Sequence, residues 1–171
     1  MPQKVYNNVV DHRLIDNDNV CEDITSVVLP TVSHPTVTID VAGMAGAVDM
    51  PNQAKLESME LSISHNNGIN CQGLTDPNKH SISFRLARQR YNVTEGMLEH
   101  ESVKYNITAI HKSTEHGTVE SGNPLGSTER FTVLRFERII NGKTDLLVDV
   151  MAGELKFNGH DAVADVQNLL K

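Results

Sequence analysis

Asp40 and Glu60 are the residues whose types could do acid–base chemistry, since two carboxylates flanking a bond can serve as general acid and base. Nothing else in the chain assembles around them. The eight histidines are His12, His34, His65, His80, His100, His111, His116 and His160. They form no HxH or HExxH pair, so no zinc spacing is present and they read as solvated loop residues. His111 and His116 flank a predicted loop start, and His65 follows a strand. Cys71, in NNGINCQGL, could act as a nucleophile beside a histidine, but it lacks a supporting pattern and reads as a small semi-buried residue. Cys21 and Cys71 fit neither a disulfide scaffold nor a CxxC metal site, and reduced thiols in a cytoplasmic product are expected. There is no GxSxG elbow and no GxxxxGK[ST] loop. Gly43-Met44-Ala45-Gly46 has the shape of a GxxG clamp without the neighbouring cations, and reads as a turn or packing loop. The expectation is no catalytic centre, no metal and no cofactor.

The elements that would position these residues are strands. Val and Ile together outnumber Leu two to one, a balance that favours a pleated surface. Alternation of apolar and polar residues marks Val37–Val41, Met59–Ile63, Ile82–Leu86 and Val103–Ala109 as strands with one wet face. Thr38, Asp40, Glu60 and Ser62 fall on those wet faces. Phe131–Ile140 and Leu146–Phe157 are longer and joined around Asn141-Gly142, a strong hairpin signal, with a break predicted near Ala152-Gly153. One helix is predicted at the C-terminus. Asp161 would cap it, Asn158-Gly159 would turn into it, and Ala162, Val163, Val166, Leu169 and Leu170 would form its stripe. The class is mainly β, a β-rich α+β domain spanning residues 1–171.

Two loops stand out by composition. Residues 43–52 interrupt two strands with small and apolar residues, and Met44, Val48 and Met50 call for burial against another surface. Lys112–Arg130 is polar, rich in Gly, Ser and Thr, and reads as a long mobile segment.

Composition limits the partners. Fifteen Lys and Arg against twenty-two Asp and Glu give a net charge of −7, and no two basic residues are adjacent. Aromatics make up 4% and Trp is absent. Such a chain has neither the basic surface that grips phosphate nor many platforms for base stacking. It is equally ill-suited to anionic membranes, so direct membrane binding is not expected. The Asn92-Val93-Thr94 and Asn106-Ile107-Thr108 tripeptides match glycosylation acceptors. They read as chance, because no signal peptide precedes them.

The order of segments then resembles a known family. Ile24-Thr25-Ser26-Val27-Val28-Leu29-Pro30 is followed by Val41-Ala42-Gly43-Met44-Ala45-Gly46 with Pro51, and then by Leu56-Glu57-Ser58-Met59-Glu60-Leu61-Ser62-Ile63. Leu147-Val148-Asp149-Val150 leads through Phe157-Asn158-Gly159-His160-Asp161 to Ala164-Asp165-Val166 and a Leu-rich end. This arrangement resembles the major tail tube protein of contractile-tailed phages and phage-tail-like particles, over roughly residues 5–170. One departure is Ser64–His80, where relatives carry a helix and this chain is dense in Asn and Gly with Pro77.

The resemblance implies a small antiparallel barrel or sandwich acting as a structural subunit. Copies of it would form hexameric rings stacked into a hollow tube within a sheath. Its partners would be other copies, the sheath protein, and tube initiator and terminator proteins. DNA would pass without specific binding in a phage, and effectors in a headless bacteriocin or injection system. The particle would assemble in the bacterial host cytoplasm. Gly43, Met44, Ala45, Gly46, Val48, Met50 and Pro51 would then form the inter-ring loop, and Thr38, Asp40, Glu60 and Ser62 would be lumen candidates. Two other readings remain at this point: a monomeric β-sandwich binding module, and a hydrolase using Asp40 and Glu60.

Overall fold

The computed structural model describes residues 3–66 and 73–171. Among these, twelve strands precede one short helix. They are β1 (Lys4–Asp16), β2 (Asn19–Cys21), β3 (Ile24–Val28), β4 (Thr36–Ile39), β5 (Val48–Pro51) and β6 (Met59–His65). Then come β7 (Lys79–Asn92), β8 (Met97–Glu115), β9 (Thr128–Ile140), β10 (Lys143–Asp149), β11 (Glu154–Phe157), β12 (His160–Asp161) and α1 (Ala164–Leu169). A ten-stranded antiparallel sheet runs β12-β11-β10-β9-β8-β7-β1-β2, with β6 joined to β9 and β3 joined to β6. The pair β4–β5 forms a separate two-stranded sheet.

The sheet forks at β9. Thr128–Val133 pair with β6, whereas Arg135–Ile140 pair with β10, and β8 accompanies both halves on the other edge. Leu134 is the extra residue at the fork, and its carbonyl accepts the amide of Val150 at 2.9 Å. A bulge of this kind bends a strand and re-aims its two halves. The two branches close on a core that includes Leu14, Met59, Leu61, Ile63, Ile82, Phe84, Ile107, Phe131, Phe136 and Val148. Most alternate strictly along their strands, as a sheet with one buried face requires. Phe84, Tyr105 and Phe136 stack across β7, β8 and β9, with centroids 6.4 and 5.7 Å apart.

Three turns are two-residue reversals with both φ angles positive: Asn17-Asp18, Asn141-Gly142 and Asn158-Gly159. Asn, Asp and Gly tolerate that conformation, and its twist matches that of paired strands. The Asn141-Gly142 hairpin and the break between β10 and β11 match the sequence expectation. Asn158-Gly159 instead joins β11 to β12, and Asp161 lies in β12. Asp161 Oδ1 accepts the amide of Val163 but does not cap the helix, whose N-cap is Val163 without a side-chain bond. No residue of α1 is buried; of the predicted stripe, Ala162 and Val163, just ahead of the helix, pack against the core, whereas Val166, Leu169 and Leu170 are exposed.

Other corrections concern the loops. The 43–52 segment is half strand, because backbone pairing with β4 makes Val48–Pro51 into β5. The Lys112–Arg130 segment shrinks to residues 116–127, since β8 continues to Glu115 and β9 begins at Thr128. That shorter loop is tied down, with Thr118 N bonded to Leu125 O, and Gly126 N to Asn66 O. At Gly117 a Cβ would sit 2.0 Å from the Leu125 carbonyl oxygen, so only glycine fits the crossing. Cys21 is buried and disulfide-bonded rather than a reduced thiol. Cys71 and the centre of the expected helix-poor stretch lie outside the described residues, and the described part of 64–80 contains no helix.

Phe131 is fully buried with the His80 and His111 rings edge-on at 5.3 and 5.5 Å. Phe131→Ala should therefore cost about 3–5 kcal/mol, measured by urea unfolding, whereas Phe131→Leu should cost less.

Candidate functional site

The hairpin β4–β5 stands apart from the main sheet and is held at its base. Asn52 N donates to Pro35 O at 2.8 Å, Glu57 N to Ser33 O at 2.9 Å, and Ser33 Oγ to Glu57 Oε2 at 2.8 Å. Val37 lies opposite Met50 and Ile39 opposite Val48. Residues opposite one another, or two apart on a strand, share a face. One face of the hairpin is thus wholly apolar, with these four side chains between 39% and 66% exposed. The other carries Thr38, whose hydroxyl donates to Asp49 Oδ1 at 2.6 Å. Gly43, at φ +100°, and the bond from Met44 N to Val41 O turn the tip. Gly43, Met44, Ala45 and Gly46 therefore form the tip, while Val48, Met50 and Pro51 form a strand.

The four wet-face residues do not converge. Thr38 and Asp40 belong to the hairpin, Asp40 exposed just beyond β4. Glu60 and Ser62 lie on β6, opposite Thr132 and Arg130 of β9. Glu60 bonds to Lys112 Nζ at 2.6 Å and lies 3.4 Å from Arg130, which also pairs with Glu115 at 3.0 Å. The Lys112 hydrogen bond, assisted by Arg130, holds the Glu60 carboxyl below its ordinary range, against the opposing effect of burial. A carboxylate committed to two cations is a poor general acid, and Asp40 lies beyond β4 in the separate hairpin, so nothing pairs it with Glu60 as a hydrolase would require.

Two features escaped the sequence reading. The first is an arm. β7 and β8 continue past the core to the Val93–Gly96 turn, with β1 alongside over Lys4–Asp11. Apart from Glu101 and Asn92, the residues of its β7–β8 tip from Ala87 to Ser102 are not buried, and the arm is braced by ions instead. Arg88 pairs with Glu101 at 2.5 Å, Arg90 with Glu99 at 2.7 Å and with Glu101 at 3.1 Å. Tyr6 lies over the Arg88 guanidinium at 4.3 Å. Hydrogen bonds from Asn92 and Arg90 hold the Glu99 carboxyl below its ordinary range. Burial pushes the Glu101 carboxyl up, but Arg88, Arg90 and Asn141 outweigh it and the net shift is downward. The signal was present as Arg-x-Arg before the turn and Glu-x-Glu after it, spaced to meet across a hairpin.

The second is a set of inward-facing histidines, correcting the expectation of solvated ones. His80 bridges Asp16 Oδ2 at 2.9 Å and the Asp76 carbonyl at 2.7 Å. His111 bonds Glu129 Oε2 at 2.8 Å, and Thr114 donates to the same oxygen. His65 is 1% exposed, with no hydrogen-bond partner on either ring nitrogen among the described residues. Among the described residues no group of three or more His, Cys, Asp or Glu side chains could hold a metal. No helix there is long and apolar enough to cross a membrane.

The β4–β5 hairpin, separate from the main sheet, thus leaves an apolar face uncovered. The sequence pattern of the phage tail tube protein FII family matches residues 12–170. The chain belongs to that family. It is a structural tube subunit, a component of a virion or tail-like particle. Its fold is shared with chains of an extracellular contractile injection system solved by cryo-electron microscopy. One is described as the PVC sheath/tube terminator in the extended state, at TM-score 0.55 and 15% identity, covering 78% of this chain and 96% of that one. Another is from the PVC sheath-tube complex in the extended state, at TM-score 0.54 and 15% identity, covering 77% and 90%. No curated protein matches the chain.

Burial lowers the pKa of His65 in this tube subunit, with Glu129 and Asp23 opposing. A base whose folded pKa lies below its unfolded value takes up protons on unfolding. Stability should therefore fall as pH drops below about 6.5, the unfolded histidine value. Denaturant midpoints across that window should show this decline, and His65→Leu should flatten it.

Proposed function

We propose that the chain folds as one domain over residues 1–171. Its copies close into hexameric rings, and these stack into a hollow tube inside a contractile sheath. The observation that carries this reading is the apolar face of the hairpin, Val37, Ile39, Val48 and Met50, exposed on an element with no core of its own. Such a face is costly in water and gains most when a neighbouring copy covers it. With the tip residues Met44 and Val41 it is the inter-ring contact, reaching from one ring onto the next.

The same reading assigns roles elsewhere. The polar face with Glu60 and Ser62 lines the lumen, and Thr38 and Asp40 extend that lining along the hairpin. Glu60 bound to Lys112 and Arg130 leaves little free charge there, so a phosphate polymer in a phage, or an effector in a headless particle, slides past without a fixed partner. The outer surface meets the sheath protein, and initiator and terminator proteins close the ends. Assembly takes place in the host cytoplasm, and the subunit has no enzymatic role.

The likeness to injection-system chains supports the ring-and-tube arrangement through shared fold. The test is direct. Met50→Asp or Met44→Asp places an unpaired charge in the inter-ring contact. Electron microscopy should show rings that fail to stack, while circular dichroism shows a folded monomer. Tubes of normal length would remove the hairpin from this role.

A further inference from the structure

On the outer face of the main sheet, Arg13 of β1 lies directly opposite Arg85 of β7, and Arg85 directly opposite Lys104 of β8. Their sequence neighbours Leu14, Phe84 and Val103 are buried, so all three cations point away from the core. With strands about 4.8 Å apart, the row spans about 10 Å. None of the three makes an ion pair or a side-chain hydrogen bond among the described residues, in contrast to Arg88 and Arg90 a few residues along. Like charges directly opposed weaken a sheet, and a chain of net charge −7 has carboxylates to spare for pairing them. Glu22 lines a hollow with Arg13 but makes no ion pair to it among the described residues. Asp11 lines the shallow hollow beside Arg13 and Arg85, and its Oδ1 accepts the His12 amide. Glu137 is taken by Asn106 and Thr144.

We propose that this row docks an acidic surface of a second copy of the chain, an inference that rests on the tube reading above and adds a second interface to it. Charge complementarity selects the occupant. Asp18, Asp40, Glu95 and Asp165 carry no ion pair among the described residues, so each copy offers anions that another copy's row can take. A two-fold contact centred on the row would set cation against cation. The contact is therefore head-to-tail, and head-to-tail contacts propagate into rings or filaments. A phosphate polymer is the poorer occupant, because three cations release few counterions and the field of the whole chain opposes its approach.

The experiment compares the full-length chain with Arg85→Glu/Lys104→Glu and Arg85→Gln/Lys104→Gln, by sedimentation velocity at low and high salt and by melting. The wild type should assemble more weakly as salt rises. Both variants should need on the order of tenfold higher concentration to assemble, with a flatter salt dependence. The glutamine variant should melt no lower than wild type, since it relieves repulsion. Loss of assembly with retained stability separates an interface from a structural role.

Wild-type rings or tubes with unchanged assembly in both variants would overturn this interface and leave the tube reading standing. A wild type that stays monomeric at every concentration would overturn both. A fluorescent DNA duplex bound by wild type and released by the variants would assign the row to nucleic acid and overturn the protein occupant.

Discussion

Strand β9 hydrogen-bonds to three partners, and the rest of the molecule follows from where it divides between two of them. Its backbone cannot be left unpaired inside the fold, so the half from Thr128 must find β6 and the half from Arg135 must find β10. Leu134 absorbs the change of direction. Because the two halves face different neighbours, one continuous sheet wraps its own apolar residues. Phe131 and Phe136, either side of the fork, reach the same core. Without the bulge the alternation would slip by one residue and turn an aromatic to solvent.

Beyond the core, two extensions are held by different physics. The arm of β1, β7 and β8 runs past the last core residues and substitutes cross-strand ion pairs for hydrophobic burial. Each exposed pair contributes little, but Glu101 is shared between Arg88, Arg90 and Asn141, and a network ordering several side chains at once loses less entropy per contact. β1 also protects its own outer edge. Asn7 and Val10 are extra residues in its pairing with β7, and Asp11 bonds the backbone of His12, devices that discourage uncontrolled strand addition. The β4–β5 hairpin has no such bracing and keeps an apolar face open. Apolar side chains stay open on both extensions, Val37, Ile39, Val48 and Met50 on the hairpin and Val5, Val9, Val10, Met97 and Leu98 on the arm.

The strands were legible in the sequence wherever one face was buried, because alternation is the direct imprint of that burial. Met59, Leu61 and Ile63, or Ile82 and Phe84, could be read without coordinates. The same criterion stopped at Leu86 and Val103, since the arm beyond them buries almost nothing and is written in charge spacing rather than hydrophobic period. Loop lengths were overestimated for a related reason. Lys112–Glu115 and Val48–Pro51 are strands through backbone pairing across a loop to the neighbouring strand, which composition does not encode. The histidines were misjudged because Asp16, sixty-four residues before His80, supplies the partner that makes its burial tolerable. The hairpin was found as an apolar segment wanting cover, but its division into apolar and polar faces needed the register of Val37 against Met50.

Net charge also proved a coarse guide. The value of −7 suggests a uniformly acidic surface, yet the acids at Glu60, Glu99, Glu101 and Asp145 are spent on bound cations. What the surface presents is the remainder, a row of cations on one sheet face and carboxylates in turns and loops without an ion pair among the described residues. Subunits of a hollow tube must join in one orientation, and apolar contact alone is indifferent to polarity. In the proposed assembly the hairpin would supply adhesion without much choice of angle, and the cation row on the rigid sheet would penalise the reversed approach. On the proposed reading the two features would answer different requirements of the same assembly.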